Sequence, residues 1–270
     1  MKPIYTIPLN SAEGTEDHLA QYKGKVTLVV NTTVGCGNAN QMEVLQWLQE
    51  KYNNDDFEII AVPTNDYCGP GVTKGRWSQG ITCGLDSKAY GEEVYGTTFK
   101  FSEMVGSNPT PNLNEKLGND LSEGVNGLGQ NNLPSHELYQ EIAKQILTLS
   151  EMNNSGMIED QTPEGGYLSH WLNTGFYNGA FMGGNYEKYL IDRDGYVVKH
   201  FACTTLNYDI EKTLKESLLE AGTPPAMGEG RSMEVFNEEY ALICNEIEKL
   251  IAGNKSPINP AFTKNLQLSI

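Results

Sequence analysis

The sequence predicts an α/β domain with a central mixed sheet flanked by helices. Three observations predict it. Two apolar, β-branched runs, Val26–Val30 and Phe57–Val62, are separated by a segment of helical periodicity, a βαβ unit whose strands run parallel. Two later apolar runs, Tyr189–Ile191 and Tyr196–Phe201, flank the turn signal Asp192-Arg193-Asp194-Gly195, an antiparallel hairpin. Helical periodicity then returns over Asp209–Leu219 and Met233–Ile251.

In chain order, Ile4–Leu9 alternates enough for a first short strand, and Gly14–Lys25 reads as a turn, a brief helical segment and a turn. After Val26–Val30, the stretch Asn31–Asn40 supplies small and polar residues, with Cys36 between Gly35 and Gly37. From Gln41 the pattern is helical, with Met42, Leu45, Leu48 and Tyr52 at spacings of three and four. Cys36 is therefore presented where a strand turns into a helix. There the free backbone N–H groups and the helix dipole favour the thiolate, the reactive form of cysteine. The plainer alternative is a small buried cysteine in a tight turn. Phe57–Val62 stops at Pro63, and Thr64–Gly80 is a loop rich in turn residues. Such loops, at the carboxyl ends of strands, collect ligand and catalytic residues in open α/β sheets.

Between Ser107 and Gly184 clustered Gly, Asn and Pro indicate a long surface loop. Its helical island is His136–Leu149, with Leu138, Ile142, Ile146 and Leu149 on one face and Ser135 as N-cap. Gly166–Gly184 is aromatic and glycine-rich, suited to lining a pocket, an oligomer contact or simply a loop folded over the core. The helix Asp209–Leu219 is ended by Gly222 and Pro224-Pro225. The last helix, Met233–Ile251, carries Phe236, Tyr240, Ile243, Ile247 and Leu250 as a docking face for its own chain or a partner. Strand, helix, strand, connection, hairpin and final helix is the order of a thioredoxin-like domain. The expected organisation is that domain over residues 1–221, with an insertion at about 107–184, and a helical extension over 222–270.

Composition narrows the function classes. With a net charge of −16 over 270 residues, neither nucleic acid nor an anionic membrane surface is an expected partner, since either needs a basic patch. The start has no apolar stretch resembling a secretory signal, and no run approaches the ~18 apolar residues of a membrane span. The five cysteines form no CxxC pair, so neither a zinc ribbon nor a dithiol motif is signalled, and a reducing cytoplasm is the expected location. His18, His136, His170 and His200 have no metal-ligand spacing around them. No bound cofactor is expected. Cys203 and Cys244 read as small core residues.

The residues resemble the glutathione peroxidase family. KGKVTLVVNTTVGCG (Lys23–Gly37) is similar to that family's strand and peroxidatic turn, QMEVLQWLQEKY (Gln41–Tyr52) to its next helix, FEIIAVPTND (Phe57–Asp66) to its second strand and loop, and NYEKYLIDRDGYVVKHF (Asn185–Phe201) to its late hairpin. The resemblance implies a peroxide-reducing enzyme with a thiol reductant, glutathione or thioredoxin, as co-substrate. It carries the nucleophile to Cys36 and an asparagine of the reactive constellation to Asn185. The family's glutamine becomes Asp66 and its tryptophan becomes Gly184. The resolving cysteine of thioredoxin-dependent members falls on Gly91. Asn65 fits the family's loop and reads as structural.

Those departures matter chemically. Glutamine and tryptophan donate hydrogen bonds to a thiolate, whereas an ionised Asp66 only accepts and would raise the thiol pKa of a neighbouring Cys36. Within hydrogen-bond reach, Asp66 is instead a base toward Cys36 or a substrate. Trp77 or Trp171 is available to replace the lost indole, and Cys68 or Cys83 to resolve a sulfenic acid on Cys36. Three readings follow. The first is a thiol-dependent peroxidase with Cys36 as nucleophile and a hydroperoxide as substrate. The second is a divergent enzyme using Cys36 for other thiol chemistry on a small molecule. The third is a redox-sensing or interaction module, with the last helix as a possible homo-oligomer contact.

Overall fold

The computed structural model describes residues 1–34, 39, 41–53, 56–64, 83–107, 136–152, 185–201 and 233–261, and within these it does not describe the side chains of 147, 150–152 and 233–240. Strand β1 (Val26–Thr32) lies parallel to β2 (Phe57–Pro63), in register from Val26 with Phe57 to Thr32 with Pro63. The two-residue β3 (Lys100–Phe101) adds to the far edge of β2, also parallel. On the other edge of β1, β4 (Lys188–Ile191) pairs antiparallel with it and β5 (Val197–Phe201) antiparallel with β4. The order β3-β2-β1-β4-β5, three parallel strands followed by an antiparallel hairpin, is the thioredoxin-like arrangement expected from the pattern of elements.

Among the described residues four α-helices flank the sheet: α1 (Gln41–Lys51), α2 (Gly84–Tyr95), α3 (Glu137–Met152) and α4 (Met233–Ile251). Alternation along each strand divides the core into two layers. Val26, Leu28 and Val30 join Ile59 and Leu190 against Met42, Leu45 and Leu48 of α1 and Ile243, Ile247 and Leu250 of α4. Val29, Ile60, Tyr189 and Ile191 face Leu138, Ile142 and Ile146 of α3, together with Ile4, Tyr5, Ile7 and Leu9. Burial on both faces explains why β1 and β2 read as continuous apolar runs.

The structure corrects the first element. Ile4–Leu9 is not a strand: Ile4–Thr6 form a 3₁₀ turn, and the nearby pairing is a single bridge between Ser11 and Ser102. Pro3 and Pro8 have no N–H to donate to a ladder, and the apolar side chains of the segment are all buried in the same core layer as those of α3. Helix α2 and strand β3 were not anticipated. The helix carries two glycines and little apolar periodicity, and the strand is too short to register as a run. At Gly91 a Cβ would lie 2.9 Å from both the Phe101 ring and Thr97 Oγ1, so this turn of α2 packs on β3 only without a side chain. In the β4–β5 turn, Gly195 takes φ 95° and passes so close to Pro3 and Tyr5 that a Cβ would sit 2.9 Å from each.

Helix α4 spans the expected residues and docks on its own chain. Tyr52 Oη donates to Glu248 at 2.9 Å and Lys51 Nζ to Cys244 Sγ at 3.4 Å. Cys244 is buried in the core, as expected. Beyond α4 the chain is clasped to the β4–β5 turn. The Ser256 N–H and Asn259 Nδ2 both donate to Asp192 Oδ2 at 2.9 Å, Arg193 donates to the Ile251 carbonyl, and Lys255 pairs with Asp194. Helix Asp209–Leu219, Cys203, the N-cap Ser135 and the aromatic stretch Gly166–Gly184 lie outside the described residues.

Candidate active site

The carboxyl end of β1 is where the chain carries its reactive candidates, and hydrogen bonds grip it from both sides. Both β1 and β2 run past their apolar residues, keeping Asn31 and Thr32 in the ladder opposite Val62 and Pro63. The Thr64 N–H donates to the Thr32 carbonyl at 2.8 Å, two residues before Asp66 in sequence. From the other side the Tyr186 N–H donates to the Asn31 carbonyl at 2.8 Å, and the Asn31 N–H to the Glu187 carbonyl at 3.3 Å. Tyr186 Oη donates to the Thr33 carbonyl at 2.8 Å, three residues before Cys36 in sequence. Three segments are thus brought to one sheet edge: the one leading to Cys36, the one leading to Asp66, and the one carrying Asn185.

Asn185 itself is 7% exposed. Its Oδ1 is buried and has no hydrogen-bond partner among the described residues, as is true of Thr32 Oγ1 and Glu187 Oε1. Orphaned buried acceptors are rare and costly. Three of them on neighbouring residues at the end of one strand pair mark an edge not optimised for stability alone. Cys36, Asp66, Cys68, Trp77, Trp171 and Gly184 lie outside the described residues. Cys83 is exposed and forms the N-cap of α2, its carbonyl accepting from the Ser87 N–H at 3.2 Å.

At the onset of β4 and along β5 the structure buries polar residues. Glu187 Oε2 pairs with His200 Nε2, with side-chain exposures of 0% and 2%. The Tyr189 ring stacks on the imidazole, centroids 5.1 Å apart and planes 13° from parallel. Lys188, also fully buried, donates from Nζ to the Tyr186 carbonyl at 2.8 Å. Period-2 alternation from Tyr189 back through Glu187 would have put that carboxylate on the Tyr189 face. The hairpin reading began at Tyr189 and stopped short of it. Among the described residues, no group of three or more His, Cys, Asp or Glu side chains is placed to hold a metal ion, and no helix is long and apolar enough to cross a membrane.

The chain has similarities to known proteins along much of its length. The family model for glutathione peroxidase matches residues 4–109. The chain is 27% identical over 221 residues to glutathione peroxidase 1 of Caenorhabditis elegans, a match covering 82% of this chain and 99% of that protein. It is 27% identical over 218 residues to the glutathione peroxidase homolog BsaA of Staphylococcus aureus, covering 81% and 100%. Over these stretches the chain is similar to the glutathione peroxidase family. Among solved structures, Trypanosoma cruzi GPX1 is similar at 19% identity and a TM-score of 0.43, covering 82% of this chain and 98% of that one. The family match ends at residue 109, so the hairpin with Asn185 lies beyond it and is reached by the longer matches to whole relatives.

For the family's resolving chemistry the fold sets one steric limit. Gly91, where the resemblance would put a resolving cysteine, is closed against Phe101 and Thr97.

Proposed function

We propose that this chain is a thiol-dependent peroxidase in which Cys36 is the peroxidatic nucleophile, Asn185 a hydrogen-bonding partner at its edge of the sheet, and a hydroperoxide the substrate. The observation that carries this reading is the hydrogen-bonded register of Tyr186 on Asn31 and Thr33, which brings the Asn185 segment beside the segment leading to Cys36. The Cys36 thiolate attacks the distal oxygen of R′OOH. The O–O bond breaks, the sulfur is oxidised to a sulfenic acid, and R′O⁻ takes a proton to leave as R′OH. A thiol then condenses with the sulfenic acid, releasing water and forming a disulfide, and a second thiol reduces that disulfide to return Cys36.

The first thiol is an external reductant such as glutathione or thioredoxin, or an internal cysteine, Cys68 or the exposed Cys83. The closed Gly91 position supports a source elsewhere in the chain or outside it. Asp66 serves as the base that deprotonates the Cys36 thiol, and Trp171 stands in for the indole of the family pattern. The catalytic domain spans residues 1–221, and 222–270 form an extension whose helix α4 covers the α1 face of the sheet.

Stopped-flow mixing of the reduced protein with hydrogen peroxide tests the reading. Reaction at least 100-fold faster than free cysteine is expected, with dimedone trapping of a sulfenic acid at Cys36 and loss of both in Cys36→Ser. A rate equal to that of free cysteine, unchanged in Cys36→Ser, would refute it.

A further inference from the structure

Tyr186 has a backbone conformation that its side chain does not favour. Its φ of 64° lies in the left-handed region, which a bulky residue adopts only when its surroundings impose it. Here three hydrogen bonds from one fully buried residue impose it, each 2.8 Å long. The N–H donates to the Asn31 carbonyl, the carbonyl accepts from Lys188 Nζ, and the hydroxyl donates to the Thr33 carbonyl. Glycine would relieve the backbone but could not make the third bond, and phenylalanine would fit the space without it. The hydroxyl is thus the part of the side chain that reaches past the last ladder pair, Val30 with Lys188, to the segment beyond β1.

We infer that Tyr186 is a positioning residue for the site: its hydroxyl holds the Thr33 carbonyl, and so fixes the end of the segment leading to Cys36 beside the segment carrying Asn185. The inference rests on the reading of Cys36 as the reactive thiol. Strain stored in a residue adjacent to a site residue is the signature of a geometry retained for function. The bond it supports acts on backbone, so its effect is on placement rather than on the chemistry itself. Misplacement on the scale of an ångström costs reaction rate heavily even where the fold survives.

The test compares Tyr186→Phe with Tyr5→Phe in the full chain. Tyr5 is the matched control. Its hydroxyl is equally interior and bonds the Lys25 carbonyl at 2.8 Å and the Asp192 carbonyl at 3.1 Å, at the opposite end of β1. Each variant is followed by its melting temperature, by the pH profile of iodoacetamide alkylation resolved by peptide mass spectrometry, and by its rate with hydrogen peroxide. Both should melt earlier. Only Tyr186→Phe should raise the pH midpoint of Cys36 alkylation and slow the peroxide reaction by about tenfold, with Cys83 alkylation unchanged. A Cys36 profile equal in Tyr186→Phe and Tyr5→Phe overturns the inference. If the wild type does not react with peroxide, the functional reading fails, and the alkylation profile still decides the role of Tyr186. Should Tyr186→Phe not fold, Lys188→Met, which frees the Tyr186 carbonyl, is read in the same way: a smaller rise in the Cys36 midpoint supports the inference, and no change overturns it.

Discussion

The two ends of β1 are built to opposite standards. At the amino end, Tyr5 Oη meets the Lys25 carbonyl, Thr27 Oγ1 and the Asp192 carbonyl. The buried Asp192 carboxylate has both oxygens filled: Oδ1 accepts from the Asp194 and Tyr196 N–H groups, and Oδ2 from the Ser256 N–H and Asn259 Nδ2. At the carboxyl end, Thr32 Oγ1, Asn185 Oδ1 and Glu187 Oε1 are buried without a hydrogen-bond partner among the described residues, and Tyr186 sits in the left-handed region. At the first end Tyr5, Thr27 and Asp192 all find hydrogen-bond partners. The other accepts orphaned acceptors and strain, costs that a fold selected for stability alone would shed. The comparison separates a closing device from a working edge within a single strand.

The largest effect should come from the satisfied end. Asp192→Ala leaves four donors without their carboxylate, and should destabilise the protein by about 3 kcal/mol in urea unfolding. Residues 252–261 should become sensitive to protease, while Cys36 alkylation stays within about twofold of the wild type in the protein that remains folded. A loss below about 1 kcal/mol would mean that the clasp is not the closing device that its geometry describes.

A smaller stability effect with a larger functional one is expected at the other end. Asn185 Oδ1 has no hydrogen-bond partner among the described residues, so Asn185→Ala should change stability by no more than about 0.5 kcal/mol while slowing the peroxide reaction about tenfold or more. A variant that loses stability and keeps its rate would reverse the assignment of this end.

How much of this contrast was legible in the sequence follows from what each feature depends on. The βαβ unit, the hairpin and α4 rest on periodicity and turn chemistry, which are local, and Met233–Ile251 appears over the expected residues. The segment Ile4–Leu9 misled because its apolar spacing suits a strand, while Pro3 and Pro8 deny it a ladder. Helix α2 was invisible because Gly91 is set by contact with Phe101 and Thr97, not by any pattern along α2. At the site, Asn185 could be carried over by resemblance. The grip of Tyr186 on Thr33 joins residues 153 positions apart and depends on a positive φ that no sequence rule assigns to tyrosine. The Glu187–His200 pair likewise needed the register of β4 on β5, which places His200 opposite Tyr189. The presentation of Cys36 where a strand turns into a helix was read from local periodicity, whereas the role of Asp66 was carried over by resemblance, and the kinetic test bears on both.

The smallest effect is electrostatic and belongs to the satisfied end. Asp194 is held below the usual carboxylate range, first by the hydrogen bond from Lys255 and then by that from Asn259. A depressed pKa in the folded state means that the ionised form stabilises the clasp above the unfolded pKa, and that this contribution is lost as pH falls through the folded value. The pair is exposed, with side-chain exposures of 43% and 42%, so solvent screening limits the contribution to under about 1 kcal/mol. Other groups respond to acid as well. Burial lowers the pKa of His18 and His136, which makes them destabilising as pH falls below the usual imidazole value. Burial raises that of Glu58, whose protonation works the opposite way. The specific readout is therefore the difference between wild type and Asp194→Asn in urea unfolding. That difference should be constant from pH 7 to about pH 5 and then shrink as pH falls through the unfolded and folded values, and it should be weaker in high salt. If it held steady to pH 3, the Lys255 pair would contribute nothing, and the clasp would rest on Asp192 alone.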